Sequence, residues 1–344
     1  MKWLILGQMK DLQTGMYLVQ TIEEMGDTCE FIDIRAITDD AGLVNGQAII
    51  AEELAKIDSE VNNIMVLKGL ELSPDTLNIT KKMFPEAKLI NWFFDVQMAG
   101  IDIWENKTYL PTIKLFDYFF CSLEGVAKKL QDAGYDNVYH VPEACYQPLN
   151  GEQIYFNNFQ KTKYGEDISF VGSIGLDFHK NRITYLSKII KEGFNIKIWG
   201  VPVGRQQSIP LSIRHRMMGH PVINDVHSIV CQSSLINLGF DGRPDIDGSM
   251  SARIYRVTCA GGLYLTTATK GIEKSFKVNK EGEEISPDQE VVVFYSPEDL
   301  VQKLDFLLEH DDIRESIAKN GQKKTMDEFQ FVHMIERINE VMKK

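Results

Sequence analysis

Short apolar runs rich in β-branched and aromatic residues recur along this chain, each followed by a polar, helix-like stretch. That alternation limits the fold more than any single motif. A first series comprises Trp3–Leu6, Cys29–Ile34, Asn63–Lys68, Lys88–Phe94, Phe116–Ser122 and Asn137–Val141. A second comprises Asp167–Val171, Asn195–Trp199, Leu235–Leu238, Leu263–Thr266 and Val291–Tyr295. Several stop at Gly, Asp or Pro, as at Gly7, Asp95, Pro142, Gly172 and Gly200. Runs that are apolar on both faces need cover on both, which predicts parallel sheets flanked by helices in βαβ order. Helices are expected over Gly15–Met25, around Ala51–Ile57, and over Pro74–Met83 and Leu123–Ala133. In the second half they are expected over Asn181–Glu192, Ser249–Cys259, Pro297–Leu308, Ile313–Asn320 and Met326–Lys343, with a short one ending at Ser228–Cys231. Between the series, Leu149–Tyr164 is polar and lacks apolar periodicity, so it reads as a link.

The expected class is therefore α/β, with two Rossmann-like halves at 1–150 and 165–325 and a helix over 326–344 packing back on the first. A chain of 344 residues, 44% of them hydrophobic, can bury two such cores. In open α/β sheets ligands bind beyond the carboxyl ends of the strands, so two sheets facing each other would enclose a deep cleft. The net charge of −12 supplies no general attraction for DNA or an anionic membrane, though a local basic cleft is compatible with it. The five cysteines are scattered and form no CxxC pair, which suits reduced thiols in a cytoplasmic protein rather than a disulfide framework or zinc site. The opening MKWLILGQMK has too short an apolar run for a signal peptide, and no segment has the length to span a bilayer.

Candidate site residues lie on the loops after strands. In DISFVGSIGLDFHKNR, a strand runs into Gly172, Ser173 and Gly175 before a helix opens near Lys180 and Arg182. Glycines admit an anion close to the backbone, and helix amino-terminal N–H groups favour negative charge. The pattern is neither GxGxxG nor a P-loop, and a tight turn with a solvated basic edge would look the same. In SMSARIYRVTCAGGLYLTT, Ser249 reads as an N-cap, and Arg253 and Arg256 share a helix face at i, i+3. Cations in a first turn oppose the helix dipole unless an anion offsets them. A diphosphate would do so, and so would Asp241, Asp245 or Asp247. Arg205 is a further phosphate candidate. Asp95 is an isolated carboxylate after a strand, suited to acid/base work, to holding a sugar hydroxyl, or to capping the next helix. His140 and Glu143 flank Pro142 on another such loop, as acceptor or hinge contacts. His215, His220 and His227 show no metal-ligand spacing, and no serine sits in a nucleophile elbow.

From about Phe116 onward the chain resembles the group-1 glycosyltransferases of the GT-B fold, particularly their CgeB-like (spore maturation protein) branch. The resemblance is carried by FDYFFCSLEGVAKKLQDAGYDNVYHVPEACYQP, DISFVGSIGLDFHKNR, SARIYRVTCAGGLYLTT and EVVVFYSPEDLVQKLDFLLEHDDIRESIAKNG, in that order. The first hundred residues are similar in organisation only. The resemblance implies two Rossmann-like domains around a central cleft, with a nucleotide-diphosphate sugar, UDP-sugar first, on the second and the acceptor on the first. It places Gly172, Ser173 and Arg182 near the donor and Arg253 at its diphosphate, and Tyr255 matches the family's aromatic. It implies no cofactor and no metal. One position departs: Arg256 stands where the family carries a Glu that accepts ribose hydrogen bonds, and an Arg accepts none. Asp247 or Asp241 would then have to take that contact.

The acceptor classes in view are a saccharide, a surface polymer or a protein hydroxyl. A modified base in phage-type duplex DNA is a further one, by analogy of fold alone. A noncatalytic sugar-nucleotide-binding or scaffold protein is the competing class. A NAD-dependent dehydrogenase is disfavoured by the missing glycine fingerprint after the first strand.

Overall fold

The computed structural model describes residues 1–9, 14–58, 60–95, 97–98, 101–103, 106–147, 158–202, 209–240 and 246–344. They form two compact units. One joins Met1–Glu143 to Phe331–Lys344, and the other is Ala144–Gln330.

The first unit is built on six parallel strands: β1 (Lys2–Gly7), β2 (Thr28–Asp33), β3 (Asn63–Leu67), β4 (Lys88–Phe93), β7 (Tyr118–Cys121) and β8 (Val138–His140). A two-residue-per-strand hairpin, β5 (Gln97–Met98) with β6 (Ile101–Asp102), intervenes. The spatial order is β2-β1-β3-β4-β7-β8. Central strands are covered on both faces: Trp3, Leu4, Ile5 and Leu6 are all 0% exposed, as the apolar runs require. The Pro74–Met83 helix starts where Ser73 accepts a hydrogen bond from the Thr76 N–H at 3.1 Å, with proline at the first position.

The last helix, Phe331–Met342, belongs to this unit. Phe331 packs 5.8 Å from Tyr17 and 6.0 Å edge-on to Trp92, ring centroid to ring centroid. The Lys88 ammonium donates to the Met342 carbonyl at 2.8 Å.

The second unit has five parallel strands, β9 (Ile168–Val171), β10 (Ile196–Trp199), β11 (Ile236–Gly239), β12 (Tyr264–Thr267) and β13 (Val292–Phe294), in the order β10-β9-β11-β12-β13. Its core gathers Ile168, Phe170, Leu186, Ile198, Leu238, Leu265, Phe294 and Leu304, all buried. Ser296 caps the Pro297–Glu309 helix by accepting from the Asp299 N–H at 3.1 Å.

The α/β class with two Rossmann-like parallel sheets is as expected from sequence. Four local expectations are corrected. The link contains a helix, Asn158–Tyr164, whose seven residues lack an amphipathic face in sequence. The helix expected around Ala51–Ile57 is the end of a much longer one, Ile34–Leu54, which bends where Gly42 takes φ +80. The final stretch breaks between Glu328 and Phe331, so its helices are Asp311–Glu328 and Phe331–Met342. The helix expected from Ser249 begins instead at Arg253. Among the described residues no helix is long and apolar enough to cross a membrane, and all five cysteines are free thiols.

Candidate functional site

The carboxyl edge of the second sheet converges on the loop Val171–Ser173. Arg253 donates from Nε to the Val171 carbonyl at 2.8 Å. Arg182 donates from Nη1 to the Ser173 carbonyl at 2.8 Å and from Nη2 to the Phe240 carbonyl at 3.5 Å. Both guanidinium carbons lie over the Phe170 ring, at 5.4 Å for Arg253 and 5.8 Å for Arg182. Two arginines far apart in sequence thus grip alternate carbonyls of one loop. Gly172 makes the grip possible: a Cβ there would lie 2.8 Å from Arg253 Nη2 and 2.9 Å from the Phe170 ring. The Gly172 N–H donates to the Trp199 carbonyl at 2.9 Å, fixing the loop to the end of β10.

Arg253 is left with unspent capacity. Its Nη1 is buried and has no hydrogen-bond partner among the described residues, and no carboxylate there pairs with it. A buried donor without a partner costs about 1–3 kcal/mol, more when charged, so this position needs a compensating acceptor. Asp247 is exposed and makes no ion pair with Arg253. Asp241, Asp245 and Arg205 lie outside the described residues.

The rest of the arginine segment departs from expectation. Ser249 does not cap the helix. It is 5% exposed and lies in the preceding turn, its carbonyl accepting from Thr269 Oγ1 at 2.7 Å. Ser251 Oγ accepts from the Arg253 N–H at 3.3 Å. The residue at the cap position is Ala252, which makes no side-chain cap. Tyr255, expected near the donor, is 1% exposed, its ring 5.1 Å from Phe329 and 6.3 Å from Phe276, so it is a core residue. Arg256 is half-buried one turn beyond Arg253.

His227, which has no metal-ligand spacing in the sequence, is buried within electrostatic reach of both arginines. It is 7% exposed on the Asn224–Ser233 helix, with Nδ1 3.6 Å from Cys231 Sγ. Burial, then the charges of Arg256 and Arg253, lower its pKa to about 3. The i, i+4 pair His227/Cys231 on an otherwise apolar helix face was the available signal. The imidazole is neutral at pH 7, so it adds no third positive charge. In the unfolded chain the histidine takes up its proton near pH 6.5, whereas the folded one does so only near the folded value of about 3. Its contribution to stability is therefore full above pH 6.5 and lost as pH falls toward the folded value. Between pH 6.5 and 5 the loss is about 2 kcal/mol. Urea titrations at pH 7 and pH 5 are expected to show that loss in the wild type and to lack it in His227→Gln. Equal pH dependence in the two proteins would count against it.

The first unit carries the other candidates at the carboxyl edge of its own sheet. Asp95, two residues beyond β4, is not isolated: the Lys68 ammonium is bonded to its carboxylate and lies 4.5 Å over the Phe94 ring. His140 ends β8 and is exposed, and Glu143 is half-buried on the loop that follows. Among the described residues no group of three or more His, Cys, Asp or Glu is arranged to hold a metal ion.

Residues 182–340 match the family model described as glycosyl transferase-like. The comparison with curated proteins gives no match. Among solved structures, a glycosyltransferase from Rickettsia africae ESF-5 is 14% identical, covering 99% of this chain and 97% of that one at a TM-score of 0.63. An alpha-glucosyltransferase in complex with UDP-glucose and DNA containing an abasic site is 10% identical, covering 100% and 99% at 0.67. A UDP-N-acetylglucosamine 2-epimerase is 10% identical, covering 93% and 90% at 0.52. These likenesses give the fold, that of the GT-B glycosyltransferases, and the epimerase among them means that fold alone does not set the reaction.

Proposed function

We propose that this protein transfers a glycosyl group from a nucleotide-diphosphate sugar to a hydroxyl acceptor, with Arg253 holding the leaving diphosphate. The observation that carries the reading is the buried Nη1 of Arg253, which has no hydrogen-bond partner among the described residues, on a side chain already locked by its Nε–H to Val171. A diphosphate oxygen is the acceptor this group lacks. The glycosyltransferase-like match over 182–340 covers this arginine and the Arg182 beside it.

As the bond from the anomeric carbon to the phosphate breaks, negative charge grows on the leaving oxygen. A cation fixed in advance stabilises that charge without reorganising. Arg253 is fixed by Val171, Phe170 and the space left at Gly172, while Arg182 holds the Ser173 end of the same loop. With guanidinium groups supplying the charge, the reading assigns no divalent metal. The donor proposed is a UDP-sugar. Asp95, in the first unit, is the proposed acceptor of the hydroxyl proton, and His140 and Glu143 are proposed acceptor-side contacts. Placement in the CgeB-like branch rests on the motif order alone.

A saccharide, polymer or protein hydroxyl is the leading acceptor. Duplex DNA is the second, favoured by the likeness to the glucosyltransferase solved with DNA and opposed by the net charge of −12. Binding to duplex DNA that weakens steeply between 50 and 200 mM salt would select the second.

The reading is tested by melting the protein with UDP, GDP, TDP and CMP. One nucleotide at 100 times its Kd is expected to stabilise by about 2.7 kcal/mol, a shift of several degrees. No shift with any of them would remove the reading. A nucleotide shift accompanied by epimerised sugar and no transfer would redirect it to the epimerase chemistry.

A further inference from the structure

The end of β3 is built at a conformational cost that packing alone does not call for. Lys68 takes φ +60, a left-handed value unusual for a residue with a side chain, and Gly69 follows at φ +76. The Gly69 N–H donates to the Leu67 carbonyl at 2.7 Å, closing a three-residue ring centred on Lys68. That hydrogen bond with positive φ at the centre marks the rare and strained form of the γ-turn. The turn is held from beneath. Asn91, 0% exposed, donates from Nδ2 to the Lys68 carbonyl at 3.0 Å, and the buried Tyr109 hydroxyl donates to the same oxygen. The Lys68 N–H donates to the Trp92 carbonyl at 3.0 Å.

The location matters as much as the strain. From β1 the chain passes to β2 on one side of it and then returns to β3 on the other. The sheet's switch point therefore lies between β1 and β3, and open α/β sheets take ligands at the carboxyl ends there. Lys68 is the first residue past β3 at that point. Its side chain reaches across to the neighbouring strand's Asp95 and lies over Phe94.

Resting on the proposed glycosyl transfer, we infer that Lys68 is a positioning residue for Asp95. The strained turn aims the ammonium, and the ammonium holds one carboxylate oxygen so that the other faces the acceptor hydroxyl. In the step it serves, the acceptor oxygen bonds to the anomeric carbon and its proton passes to Asp95. The diphosphate leaves with the electron pair of the broken bond.

The test uses the full chain, UDP-glucose (or the sugar of whichever nucleotide shifts the melt) as donor, water as acceptor, and released nucleotide as readout. Lys68→Met and Lys68→Gly both remove the ammonium, but only glycine relaxes φ. Both are expected to lower kcat at least tenfold while donor KM stays within twofold. The glycine variant is expected to melt about 2–10 °C above the methionine variant. A variant with wild-type kcat, or a methionine variant as stable as the glycine one, overturns the inference. A wild type that binds nucleotide yet releases none from the donor overturns it while leaving the donor site standing. A wild type that neither binds nor cleaves takes the proposed function down first.

Discussion

Arg253→Met is expected to lower donor turnover about 10²–10³-fold while the protein stays folded, the usual cost of removing one preorganised charge-stabilising donor. Methionine keeps an apolar stem over Phe170 and removes both the Nε–H bond to Val171 and the unpartnered Nη1. The first loss costs about 1 kcal/mol and the second offsets part of it, so stability should move little. Arg253→Lys should recover only part of the rate. A single ammonium cannot hold the Val171 carbonyl in the guanidinium's geometry and also present a second, separate N–H to a phosphate. Turnover and nucleotide-induced melting shifts measured on both variants check this. An Arg253→Met protein with wild-type turnover would remove the diphosphate assignment, and one that fails to fold would mark the residue as structural.

Gly200→Ala is expected to destabilise the second unit by about 3 kcal/mol or more, with loss of folded protein on expression. Gly200 follows β10 at φ +153, and a Cβ there would lie 2.2 Å from the Gly172 carbonyl oxygen. That neighbour is backbone, and Gly172 is in turn pinned by its N–H to Trp199 and by Arg253 against its Cα. No rotamer change relieves the contact, so the strand ends must separate. Gly193, at φ +92 with open space around it, is the comparison: Gly193→Ala meets no atom and pays only for its backbone angle. Urea midpoints of the two variants separate these effects. A Gly200→Ala protein as stable as wild type would show that the loop yields more readily than its contacts imply.

The central strands were legible in sequence because runs such as Trp3–Leu6, Ile64–Leu67 and Val292–Phe294 are apolar and buried, and such runs differ from their surroundings by composition alone. Ser73-Pro74 and Ser296-Pro297 start their helices for a local reason, a side-chain acceptor followed by a residue that needs no N–H partner. Ile34–Leu54 was hidden by Gly42, Gly46 and the Asp39-Asp40 pair, which lower local propensity and are overridden by packing of Ile34, Ile50 and Leu54. Within the candidate site, Gly172, Arg182 and Arg253 were legible as residue types after strands. Their shared hold on Val171–Ser173 was not, because it joins positions 82 residues apart. Lys68 was hidden differently: Lys-Gly reads as a turn whose positive φ falls on the glycine alone, yet here the lysine carries one too.

The first unit is discontinuous, and that has a consequence for how the molecule comes into being. Phe331 packs on Tyr17 and Trp92, and Met334, Ile335 and Ile338 are buried with it, yet the ribosome makes them only after the whole of Ala144–Gln330. Amino-terminal domains ordinarily fold first during synthesis. Here the nascent amino-terminal sheet must wait with Tyr17 and Trp92 uncovered until its closing helix emerges, so the second unit can finish folding before the first.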